Sequence, residues 1–81
     1  MFLSDLKKGD RGKILKIGGS GVYKRRLSDM GLLKGEIFTV KNIAPLGDPI
    51  EITIKDYNLS LRKNEAQNIE VEKIKEKNNE E

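Results

Sequence analysis

Neither cysteine nor histidine occurs among the 81 residues. Their absence excludes disulfides, thiol redox chemistry, zinc sites built on thiolate or imidazole, Ser-His and Cys-His catalysis, and the side chain that ordinarily titrates near neutrality. Aromatic residues are almost as scarce, with two Tyr, two Phe and no Trp. A small nucleic-acid-binding barrel uses exposed aromatics as platforms on which bases stack. With Phe38 and Tyr23 expected in the core, Tyr57 is the one candidate, and a packed or turn-stabilising role is its alternative. No apolar run approaches the ~20 residues that span a bilayer. The start Met1-Phe2-Leu3-Ser4-Asp5 offers neither a basic leader nor the apolar stretch of about 7 to 15 residues that a signal peptide carries. A cytoplasmic protein with no direct membrane insertion is expected. Glycine, finally, is missing after Asp48, all eight lying before it.

What is there suffices for one small core. Apolar residues make up 36% of the chain and charged residues another 36%, with 16 Lys plus Arg against 13 Asp plus Glu for a net charge of +3. Residues 1–26 hold eight basic side chains against Asp5 and Asp10, whereas residues 70–81 hold five Glu against three Lys. A gradient this mild falls short of an electrostatic footprint for nucleic acid. The expected organisation is a domain over residues 1–72 and a charged, frayed tail over 73–81, whose lone apolar residue Ile74 offsets little ordering entropy.

The periodicities suggest five short strands and one helix. Lys7-Lys8-Gly9-Asp10 reads as a turn into a strand over Arg11–Ile17, where Ile14, Leu15 and Ile17 break alternation and imply a bulge near Ile14. From Val22 the period changes. Tyr23, Leu27 and Met30 gather within about 60° on a helix, with Ser20 as N-cap and Gly31 just past the end. Glu36–Ala44 forms a second strand, and Pro45-Leu46-Gly47-Asp48-Pro49 is a turn because its prolines and glycine break any ladder. Ile50, Ile52 and Ile54 alternate with polar residues in the most regular strand signal of the chain. Asp56-Tyr57-Asn58 then reverses the chain into Leu59–Arg62, Asn64 caps a helical turn through Gln67, and Ile69–Val71 closes the sheet. Strands this short in a chain this small manage their edges best by curling into a partly open barrel.

The chemistry-bearing candidates are few. Gly18-Gly19-Ser20-Gly21 lies between strand and helix, where phosphate can be held, but it lacks the Lys-Ser/Thr of a P-loop and has Lys24 where a dinucleotide fingerprint needs its third glycine. A flexible connector is the plainer reading. Lys24-Arg25-Arg26 is the densest basic cluster. Arg26, beside the apolar stripe, can pair with a carboxylate such as Glu51, and Arg25 with Asp29, leaving a solvated face, an acidic protein surface or, least favoured, nucleic acid as the cluster's roles. The eight carboxylates before residue 70 are scattered, with no pair at a helical spacing suited to acid-base work or to an oxygen cage. No catalytic residue, no cofactor and no metal site are expected.

Lys24-Arg25-Arg26-Leu27-Ser28-Asp29-Met30-Gly31-Leu32, Gly35, Ala44-Pro45-Leu46-Gly47-Asp48-Pro49-Ile50-Glu51-Ile52 and Leu59-Ser60-Leu61-Arg62 together resemble the FeoA family of ferrous iron transport accessory proteins. They are also similar to the C-terminal domain of iron-dependent repressors of the diphtheria toxin repressor type. The resemblance covers about residues 3–72. It implies a mainly β, SH3-like barrel with a helix inserted after the first strand. It also implies a non-catalytic role in Fe²⁺ uptake, through docking on the cytoplasmic part of FeoB, a permease with a GTPase domain. The expected docking surface is a groove between the helix and the long turn, presenting Leu46 beside Arg25 and Arg26, with Tyr57 a further contact. Leu46 folded inward as a plug is the alternative for that turn. A free-standing repressor-type regulatory domain and a small RNA-binding barrel, whose affinity would fall steeply with salt, are the competing functions.

Overall fold

The computed structural model describes residues 1–75. A 3-10 turn at Leu3–Asp5 precedes β1 (Arg11–Ile17), α1 (Gly21–Asp29), β2 (Ile37–Ile43), β3 (Ile50–Ile54), β4 (Tyr57–Leu61), the short α2 (Lys63–Ala66) and β5 (Ile69–Ile74). The strands form one antiparallel sheet in the order β4-β3-β2-β1-β5. It stays open between β4 and β5, the two strands that α2 connects.

The expected strand at Arg11–Ile17 is present, and so is its bulge. Ile14 pairs with Val71 and Lys16 with Glu70, so Leu15 is the extra residue. Ile14 thereby stays fully buried while Leu15 turns outward, which lets two adjacent branched residues occupy different environments. Beside the bulge, Gly12 faces Phe38 in the register. A Cβ on Gly12 would come within 2.7 Å of the Phe38 ring, so the missing side chain is what admits the largest core residue across β1. Ile50, Ile52 and Ile54 all point inward, as their alternation predicts.

Leu3 and Leu6 are buried in the same core as Phe38, Ile52 and Val71. Asp5 holds the first turn by accepting a hydrogen bond from the Phe2 amide at 2.9 Å, and Asp10 closes the next by accepting from the Lys7 amide at 2.8 Å. The Val71 amide donates to the Met1 carbonyl at 2.8 Å, so the N-terminus covers part of the outer edge of β5.

Three local expectations change. The reversal after β3 is Lys55-Asp56, with Lys55 at φ 54°, and Tyr57 and Asn58 already belong to β4. The cap of α2 is Arg62 rather than Asn64. β5 runs to Ile74, paired with Arg11, two residues into the segment expected to fray, and residues 76–81 of that segment lie outside the described residues.

Candidate docking surface

The helix α1 begins and ends as its sequence indicates. Ser20 Oγ accepts a hydrogen bond from the Tyr23 amide at 3.4 Å. At the far end the Gly31 amide donates to Ser28 and the Leu32 amide to Leu27, both at 2.9 Å, with Gly31 at φ 88°. This paired closure uses the last helical carbonyls and delivers Leu32 into the core. Only the C-terminal half of α1 meets that core. Leu27 is buried and Met30 packs against it, whereas Tyr23, expected inside, is 39% exposed because the first turn lies beyond the packed region.

Two ties fasten α1 to the rest of the molecule. The Tyr57 hydroxyl, at the start of β4, donates to the Met30 carbonyl and lies against Gly31. Arg26 pairs with Glu65 of α2, not with Glu51 of β3. Glu65 is 2% exposed and is the sole buried charged residue among the described ones. Its second carboxylate oxygen accepts from the Arg62 amide at 2.9 Å, and Asp48 in the long turn accepts from the Lys63 amide, also at 2.9 Å. The first amides of a helix lack intrahelical acceptors, and these two carboxylates serve the cap residue Arg62 and the first helical residue Lys63, while the Glu65 and Ala66 amides donate to the Arg62 carbonyl. Proximity of Arg26 to Glu65 depends on α2 folding back over a separation of 39 residues, which no local pattern in the sequence announces.

The four residues singled out in the sequence therefore divide. Arg26 and Tyr57 serve packing, each bonded to a defined partner. Arg25 is exposed and, among the described residues, forms no ion pair with Asp29. Leu46 is 91% exposed at the tip of the long turn, so the inward plug is not the arrangement adopted. Turn and α1 are linked through α2, from Asp48 to Lys63 and from Glu65 to Arg26. The glycine run acts as a connector, with the Gly18 amide donating to the Asn68 carbonyl at 2.7 Å.

Sequence reasoning passed over a second surface. A groove of about 470 Å³ lies between β1 and α1, with Leu15, Ile17, Leu32 and Leu33 along it and Lys16, Lys24, Lys34 and Ser28 around it. The signals were present: Leu15 at a bulge, and the adjacent pair Leu32-Leu33, of which one member has to face outward once the other enters the core.

Among the described residues no group of three or more His, Cys, Asp or Glu is placed to hold a metal ion, and no helix is long and apolar enough to cross a membrane.

A family model described as the FeoA domain matches residues 1–73. The chain is 46% identical over 74 residues to an Fe(2+) transport protein A/Fe(2+) transporter FeoB fusion protein of Porphyromonas gingivalis, a match spanning 91% of this chain and 9% of that protein's length. Among solved structures, the FeoA protein of Chlorobium tepidum is 39% identical with a TM-score of 0.87, covering 99% of this chain and 76% of the other. The zinc-complexed FeoA of Stenotrophomonas maltophilia, described as a procaryotic SH3 domain protein, is 25% identical with a TM-score of 0.73 over 89% of each chain. A manganese-dependent transcriptional repressor is similar in fold alone, at 20% identity and a TM-score of 0.85 over 91% of this chain and 36% of that one. The expected mainly β, SH3-like architecture with a helix after the first strand is thus the one observed.

Proposed function

Because the chain belongs to the FeoA domain family, we propose that it is a non-catalytic cytoplasmic accessory of ferrous iron uptake that docks on the cytoplasmic part of a FeoB-type permease. The observation that carries this reading is the fusion relative, in which a segment 46% identical to this chain shares one polypeptide with an Fe²⁺ transporter. Covalent fusion supports association between the separate modules, since a linker supplies an effective concentration that two free chains must replace with a binding surface.

The docking surface proposed comprises Arg25 of α1 and Leu46 of the long turn, two elements each tied to α2. Both residues are exposed, and a bare leucine at the tip of a turn braced by Asp48 is a preordered apolar anchor. Arg26 and Tyr57 belong to this surface as its support, holding α1 to α2 and to β4. Fe²⁺ enters the account as cargo of the permease. Scattered carboxylates without imidazole or thiolate hold it with little selectivity over more abundant hard ions.

A pull-down with the cytoplasmic part of a FeoB-type protein, with and without GTP, tests the proposal. Specific retention of this chain is expected, and its failure under both conditions would contradict docking.

A further inference from the structure

From the groove between β1 and α1 we infer a second binding surface, one that takes an extended acidic peptide segment of a partner protein, with apolar residues seated between the carboxylates. It stands on features independent of the Arg25 and Leu46 face. The floor is apolar and partly open to water, with Leu33 45% and Leu15 36% exposed beside the buried Leu32. Lys16, Lys24 and Lys34 rim it, all exposed, and no carboxylate lines it. Of the three ion pairs formed among the described residues, none uses these lysines. Three lysines that form no ion pair among the described residues, set around an apolar trough, complement a segment in which acidic and apolar residues alternate, with the apolar side chains seated and the carboxylates reaching the rim. A concave trough suits a chain better than it suits the flat face of a bilayer.

The groove's walls are braced, so occupation needs little rearrangement. The Gly35 amide donates to the Ile14 carbonyl at 2.7 Å and the Ile14 amide to the Glu36 carbonyl at 2.9 Å, fixing the Leu32–Lys34 segment beside β1. The closure of α1 at Gly31 and Leu32 fixes the opposite wall. Such preorganisation lowers the entropic cost of binding.

The test is an amide-resolved NMR titration of the intact protein with a short capped peptide alternating leucine and glutamate, and with its twin carrying lysine for glutamate. Saturable shifts are expected at Leu15, Ile17, Leu32 and Leu33 with the acidic probe alone. Affinity is expected to fall about tenfold in the double variant Lys24→Glu, Lys34→Glu, to weaken in Leu33→Ser, and to stay unchanged in Leu46→Ala. Shifts that map elsewhere, equal affinity for both probes, or indifference to the lysine reversals would overturn the inference. So would vesicles of phosphatidylglycerol in phosphatidylcholine moving these amides while the acidic peptide does not.

Discussion

At Gly31 a single hydrogen atom stands where any other residue would place a carbon, and two demands meet there. The backbone is left-handed at φ 88°, and an added Cβ would collide with the Tyr57 hydroxyl that donates to Met30. Gly31→Ala is therefore expected to cost about 2 kcal/mol or more in a denaturant titration, combining left-handed strain with lost space. Tyr57→Phe should cost about 1 kcal/mol through one lost hydrogen bond. Because the phenylalanine also clears the collision, the double variant should be less destabilised than the sum, by about 0.5 kcal/mol or more. Additive losses would show that the two side chains do not meet. Gly31 itself was legible in sequence as the end of a helix. Its tyrosine partner was not, because the Tyr57–Met30 hydrogen bond that brings the ring there spans 27 residues and leaves no periodic trace.

Among the elements, α2 is the one whose role comes from its neighbours. Its amides are capped by Glu65 from within and Asp48 from the long turn, and its buried carboxylate is balanced by Arg26 of α1. Removing the arginine leaves a buried charge short of its partner, so Arg26→Leu should lower stability by about 1 to 3 kcal/mol. That lies below the usual cost for a fully buried pair, since the arginine is half exposed. An unchanged denaturation midpoint would contradict the tie. Elements governed by their own residues were readable in advance: β1 with its bulge, α1 from Ser20 to Gly31, and the alternating isoleucines of β3. Elements governed by distant contacts were not. Asn64 looks like a cap by type, yet the acceptors that start α2 include a carboxylate 15 residues earlier in the chain. Lys73 and Ile74 begin a stretch with a single apolar residue, which does not suggest a strand, yet they continue β5 because Gly12 and Arg11 offer a ladder.

For the molecule as a whole, chemistry is limited by what the sequence omits, and the fold adds surfaces that no single element carries alone. An 81-residue chain without thiol or imidazole is expected to bind Fe²⁺ weakly, so anaerobic calorimetry should register no micromolar site, and a micromolar affinity would contradict the proposed division between adaptor and permease. Membership of the FeoA domain family was legible through the Lys24–Leu32 helix and the Ala44–Ile52 motif. The groove beside Leu33 was not, since it exists only once β1 and α1 are packed together. The most direct measurement is the dissociation constant of this protein for the cytoplasmic part of a FeoB-type permease, compared with those of folded Arg25→Glu and Leu46→Ala variants. Saturable binding that weakens by about tenfold or more in each variant is the expected result. Absence of binding, or variants that bind as tightly as the parent, would contradict docking through this face.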